Sequence, residues 1–262
     1  MPVSTLVYGT RTPVDVLALA AHPDDVELCA GGTVCRLVEQ GRTVAVVDFT
    51  RGELGSRGTP ELRIEESRAA SVILGLTARE NLGLPDGDLQ STKENQLAVI
   101  RAVRRYRPRI VLANAPECRH PDHPAAAKLA TDALFYGGLR MVETAEDDGA
   151  AQTPHRPDHV LHYMQSVPFT PTLVVDVSAA WAQRTRALLA YASQFDGTGY
   201  EAKPEETATF IANPDFMAFV EAQARTYGYR TGATFGEPFL YRHGPLGVDD
   251  LFAALAKEKA FK

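Results

Sequence analysis

The sequence predicts an α/β protein: a doubly wound, mostly parallel sheet with helices on both faces, Rossmann-like in plan, in a single compact domain. Three observations predict it. The run "VDVLALA" at 14–20 is apolar at nearly every position, the pattern of a parallel strand covered on both sides. Short apolar runs of this kind alternate with segments of helical spacing through residue 115. The chain has 262 residues, 45% hydrophobic and 23% charged, enough apolar material for a sizeable core.

The elements follow in order. Residues 33–41, "TVCRLVEQG", read as a short helix with Gly41 just past its end. Residues 43–50, "TVAVVDFT", are the next strand. The segment 61–75 spaces Leu62, Ala69, Val72 and Ile73 helically and stops at Gly75. "NLGL" at 81–84 is a short strand. The helix at 92–108 must stop before Pro108, and "RIVLANA" at 109–115 is the fourth strand. This βαβαβαβ run crosses over right-handed. In the order 3-2-1-4, the strands at 14–20 and 109–115 are neighbours, and ligands bind beyond their carboxyl ends.

The second half is less regular. Strands are expected at 159–166 and 172–178. Helices are expected at 179–195 and 214–228, with Pro214 near the start of the latter and Gly228 just past its end. Residues 141–158 and 196–208 are polar and read as loops. Residues 1–13 read as an N-terminal extension, so the domain is taken as 1–262 with no internal linker.

Charge and composition exclude several function classes. The net charge of −6 argues against nucleic acid or an anionic membrane surface as the main partner. No apolar stretch approaches the roughly 18 residues of a membrane span. The start, "MPVSTLVYGTRTP", lacks the basic and apolar regions of a secretory signal. Cys29, Cys35 and Cys118 form no CxxC pair and read as reduced thiols of a cytoplasmic protein. His155, His159, His162 and His243 read as ordinary surface or core histidines.

Two polar clusters stand out against this background. "AHPDDVE" puts His22, Asp24, Asp25 and Glu27 directly after the first strand. "PECRHPDHP" puts His120, Asp122 and His123 directly after the fourth. If those strands are neighbours, the clusters face each other across the switch point. Adjacent carboxylates repel, and burying either unpaired costs several kcal/mol, so something positive belongs there. A catalytic zinc takes about three protein ligands plus water. His22, one Asp and one His suffice, leaving an aspartate as base and a histidine as acid. A dinucleotide-binding protein is the competing reading. The turn after the first strand lacks GxGxxG spacing, however, and two aspartates there would repel a pyrophosphate.

"AHPDDVE" and "RHPDH", with "FTRGELGSRGTPELRIEE" between them, closely resemble the LmbE/PIG-L family of zinc-dependent N-deacetylases. Within that family the chain most resembles the bacillithiol-biosynthesis deacetylases, which remove acetate from N-acetylglucosaminyl-malate. The stretches "HRPDHVLHYMQSVPFTPTLVVDVS", "AYASQF" and "GATFGEPF" carry the closer likeness, which spans roughly residues 14–250. The resemblance implies one Zn2+ per chain, held by His22, Asp25 and His123. It implies Asp24 as general base. It implies His120, held by Asp122, as the protonated group that stabilises the oxyanion or protonates the leaving amine. Arg63 and Arg156 match arginines linked with substrate binding, and a malate carboxylate suits the two-pronged guanidinium. Some relatives carry a tyrosine where Phe216 stands here, and Tyr200 is the nearest substitute. The implied substrate is an N-acetylated amino sugar. Deacetylation of another N-acylated sugar or amide, as in antibiotic tailoring, is the alternative. Relatives form oligomers, often hexamers, which implies a homo-oligomer here.

Overall fold

The computed structural model describes residues 4–195, 198–242 and 244. His243 lies outside the described residues, as do the ends of the expected domain. The strands are β1 (Thr5–Gly9), β2 (Val16–Ala20), β3 (Val44–Asp48), β4 (Ala78–Asn81), β5 (Ile110–Ala113), β6 (His159–Tyr163), β7 (Leu173–Asp176) and β8 (Gly236–Tyr241). The helices are α1 (Asp25–Cys29), α2 (Gly31–Glu39), α3 (Pro60–Leu74), α4 (Lys93–Tyr106), α5 (Asp122–Gly137), α6 (Trp181–Leu189) and α7 (Phe216–Arg230).

The strands form one eight-stranded sheet in the order β1-β4-β3-β2-β5-β6-β8-β7. The stretch β4-β3-β2-β5-β6 is parallel, which is the doubly wound core with the order 3-2-1-4 inside it. Val16 pairs with Val44 on one side and Ile110 on the other. β2 is buried at all five positions, as its unbroken apolar run requires. Successive side chains point to opposite faces. Leu17 and Leu19 therefore pack with Val99 and Val103 of α4 and Leu129 of α5. Val16, Ala18 and Ala20 pack with Val34 of α2, Leu74 of α3 and Ala187 of α6.

Several elements differ from the sequence expectation. The supposed extension supplies β1, an antiparallel edge strand on β4. The strand placed at 81–84 lies three residues earlier, at Ala78–Asn81. α5 was not anticipated, because its buried face is mostly alanine (Ala126, Ala127, Ala130 and Ala133) and gives a weak periodic signal. β8 was not anticipated either; Pro238 argues against a strand with neighbours on both sides, yet β8 pairs with both β6 and β7. Gly228 does not end α7 but lies within it. A Cβ there would sit 2.8 Å from the Phe235 backbone nitrogen, so glycine is what lets β8's entry pass close to the helix. Gly41 and Gly75 do adopt the left-handed conformation at helix ends, at φ 77° and 75°. No helix among the described residues is long and apolar enough to cross a membrane.

Candidate active site

Two helices begin at the switch point. α1 starts just past β2 and α5 a short loop past β5, and these strands are hydrogen-bonded neighbours. The turn into α1 is tight enough to force Asp24 to φ 105°, a left-handed conformation that a non-glycine residue holds at a cost of about 1–3 kcal/mol. The turn sends the adjacent carboxylates to different partners. Asp24 Oδ2 accepts from Arg63 Nη2 at 3.1 Å, and the same guanidinium donates to the Pro23 carbonyl. Asp25 Oδ2 accepts from the His22 backbone N–H at 3.1 Å and from Asn114 Nδ2 at 2.9 Å. Its Oδ1 accepts from Gln165 Nε2 at 3.1 Å and lies 3.2 Å from His123 Nε2. The carboxyl ends of β5 and β6 thus fix Asp25.

The three histidines gather around it. Ring centroids lie 4.7 Å apart for His22–His120, 4.9 Å for His120–His123 and 5.4 Å for His22–His123. His22 Nε2 is 3.0 Å from Asp86 Oδ1 and 3.2 Å from Asp122 Oδ2. His123 Nδ1 is 2.9 Å from Cys118 Sγ, which also meets Ser166 Oγ at 3.0 Å. The Asp122 carboxylate, expected beside His120, is placed elsewhere. That carboxylate lies against His22 and accepts from the Gly87 N–H at 2.8 Å, while His120 Nδ1 accepts from the Asp122 backbone N–H at 3.3 Å. A neutral His120 therefore carries its proton on Nε2.

The electrostatics show a site short of positive charge. Burial opposes charging His22, but hydrogen bonds to Asp122 and Asp86 and the Asp25 charge raise its pKa to about 10. Burial likewise opposes charging His123, yet Asp25 and Cys118 carry it up to about 9. Burial would raise Asp25, but His123, His22 and Asn114 hold it well below the usual carboxylate range. Asp24 goes the other way: burial pushes it up to about 7 despite Arg63. Burial, together with the charges on His22 and His123, holds His120 below its ordinary value.

These groups suit a metal ion. Ligands at zinc bond lengths of 2.0–2.2 Å in a tetrahedron stand roughly 3.3–3.6 Å apart. Asp25 Oδ2 is 3.8 Å from His22 Nδ1, and the other oxygen, Oδ1, is 3.2 Å from His123 Nε2. Among the described residues, ligand atoms of His22, His120 and His123 lie within 4.8 Å of one another, and so do those of His22, Asp86 and Asp122. The donor set is imidazole and carboxylate, which suits zinc and its neighbours among the divalent metals. The centre opens into a cavity of about 450 Å³ lined by His22, Asp24, Asp25, Arg63, His120 and His123, with Phe216 on its wall.

Three other expected residues stand elsewhere. Arg156 donates to the Phe135 carbonyl and stacks its guanidinium 5.0 Å from the Phe135 ring. That is the far end of α5, about 20 Å along the helix from Asp122. Tyr200 does not line the cavity; its hydroxyl donates to Glu206 at 2.9 Å. Glu27, grouped with the aspartates in the sequence, faces the sealed core and meets Arg79. Conversely, Asp86, Asn114 and Gln165 were missed. Asp86 lies in the loop after β4; Asn114 and Gln165 follow the carboxyl ends of β5 and β6, and that position was the signal that could have found them.

The fold and site define a class: a doubly wound α/β protein with a His/Asp centre of metal-binding composition at its switch point. The family model described as GlcNAc-PI de-N-acetylase (PIG-L) matches residues 17–134. The diacetylchitobiose deacetylase of Thermococcus kodakarensis is 31% identical over 190 residues, covering 69% of this chain and 70% of that one. A probable N-acetyl-alpha-D-glucosaminyl L-malate deacetylase 2 of Bacillus cereus is 27% identical, over 76% of this chain and 90% of its own. The structure of the conserved protein TT1542 from Thermus thermophilus superposes with a TM-score of 0.77 at 38% identity, over 90% of this chain and 98% of that one. The chain belongs to the PIG-L/LmbE family of de-N-acetylases.

Proposed function

We propose that the protein is a divalent-metal-dependent hydrolase that removes the acetyl group from an N-acetylglucosamine conjugate. The observation that supports this is the junction of the two clusters: His22 Nδ1 and His123 Nε2 lie 3.8 and 3.2 Å from separate oxygens of Asp25, ligand atoms of His22, His120 and His123 lie within 4.8 Å of one another, and Asp24 lines the same cavity. Zinc bound by His22, Asp25 and His123 would supply Lewis acidity and an acidified water. Asp24, with a pKa raised to about 7, is matched to accept a proton at neutral pH. Arg63 keeps that carboxylate oriented toward the cavity rather than reaching for substrate. His120, neutral and protonated on Nε2, donates a hydrogen bond to the amide oxygen, and the proton that Asp24 accepts passes to the departing nitrogen. Phe216 adds no hydroxyl there, so His120 acts without a tyrosine partner.

The malate conjugate remains one member of this substrate class, supported by the likeness to the Bacillus cereus enzyme. The arginine pair expected to read its carboxylates is divided between Asp24 and the end of α5, so geometry supports the acetamide chemistry more strongly than the aglycone. The test is acetate release from N-acetylglucosamine and its conjugates by the purified protein. Activity lost on chelation and restored by zinc supports the proposal; release of no acetate from any N-acetyl sugar by zinc-loaded protein rejects it.

A further inference from the structure

The cavity has two chemically different ends. The His/Asp centre is its buried end. At the other stand aromatic side chains that line the cavity yet face solvent: Phe210 is 55% exposed and Phe219 50%. Phe216 joins this surface to the core. Its ring meets Phe210 edge-on at 5.6 Å and Phe219 at 6.3 Å, and is stacked on Phe195 at 6.1 Å. Large apolar side chains clustered at a cavity mouth mark a ligand contact, whereas single ones scattered on a surface mean nothing.

We propose that this apolar mouth receives an alkyl or aryl aglycone, so that the preferred substrate is an N-acetylated amino sugar glycosylated with an apolar group. The inference rests on the deacetylase reading and specifies its substrate. Three arguments carry it. The bond to be cleaved must reach the buried His/Asp end, so the exposed end takes the part of the substrate far from the acetamide. Sugar hydroxyls need hydrogen-bonding partners, and aromatic rings offer an apolar group far more than they offer a hydroxyl. The arginines expected to read a malate carboxylate are not placed for it: Arg63 is committed to Asp24 and Arg156 lies outside the cavity, while Arg119 holds its charge 4.6 Å from the Phe210 ring, and the malate arm of the test reads any preference that charge gives.

The test compares kcat/KM for acetate release from hexyl N-acetylglucosaminide, free N-acetylglucosamine and N-acetylglucosaminyl-malate, with N-hexanoylglucosamine as an acyl-chain control read by amine release. Burying one chain against an aromatic wall should favour the hexyl glycoside over the free sugar by about tenfold to a hundredfold. Phe219→Ala should bring that ratio toward one, while Phe219→Leu should keep most of it. Three results overturn the inference and leave the deacetylase standing: equal rates on hexyl glycoside and free sugar, a preference for the malate conjugate, or a preference for the hexanoyl amide. No hydrolysis of any of the four removes both.

Discussion

α1 carries two acids that meet different fates within one turn. Asp25 and Glu27 are two residues apart, about 200° around a helix, so they face opposite sides. Glu27 enters the sealed core. There Arg79 of β4 donates to Glu27 Oε1 at 2.5 Å and clamps Asp48 with bonds of 2.7 and 2.8 Å, all fully buried, with the Tyr191 hydroxyl 3.2 Å from Glu27. Asp25 enters the cavity, where its counter-charges are the imidazoles of His22 and His123. Both pairs of carboxylates, Glu27 with Asp48 and Asp24 with Asp25, violate the rule against buried like charge. One is satisfied by a guanidinium that the chain supplies permanently. In the other, Arg63 serves Asp24, while Asp25 faces imidazoles whose protons a metal ion would displace. The first arrangement is sealed in the core; the second opens into the cavity.

That contrast can be broken at either side. The largest effect is expected at the cavity. Asp24→Asn should keep the fold and the metal and lower kcat by about 10²- to 10⁴-fold, the usual worth of a general base. Steady-state kinetics with metal analysis checks it; turnover within about threefold of wild type would move the base elsewhere. In the core, Arg79→Met leaves Glu27 and Asp48 buried and unpaired. It should cost about 3–5 kcal/mol of stability in urea unfolding. A small loss would mean that the core pair takes its counter-charge from somewhere else.

A smaller effect is expected at Cys118, which lines the cavity and meets the outer nitrogen of His123. Cys118→Ala should weaken zinc binding by about 10- to 100-fold, the typical cost of losing a group that orients a ligand. Cys118→Ser should recover part of that in a calorimetric titration. The smallest effect is expected for Arg156→Ala, at the far end of α5. It should change kcat/KM by less than about twofold on every N-acetyl sugar, since its partners are the Phe135 carbonyl and ring. A selective loss on the malate conjugate would restore its expected role.

The parallel half of the fold was legible because its strands are apolar on both faces and its helices end in glycine or before proline. The centre was legible for a related reason. His22, Asp24, Asp25, His120, Asp122 and His123 sit in two short motifs at strand ends, and strand order alone brings those ends together. What was not legible depends on side-chain direction or on weak periodicity. Glu27 is inseparable from Asp24 and Asp25 in the string of letters, and only the helical turn sends it to Arg79. Asp122 reads as a partner of its neighbour His120, yet its carboxylate spans to His22, a hundred residues away. β1 and β8 are antiparallel additions at or near the sheet's edges, and neither carries the unbroken apolar run that announces a central parallel strand.

Neighbouring carboxylates raise the pKa of the cavity's His22 and His123, and zinc titration with proton counting tests most directly whether a cation displaces those protons. His22 and His123 hold protons up to pH about 10 and about 9, and both must lose them to bind metal. Metal-free protein at pH 7 should therefore take up one zinc per chain and release about two protons with it, read as the dependence of binding heat on buffer ionisation. Affinity should rise with pH, less steeply above about 9, and level off above about 10 as both imidazoles deprotonate unaided. Stoichiometric binding with no proton release, or no binding to wild type while His123→Ala behaves identically, would contradict the account.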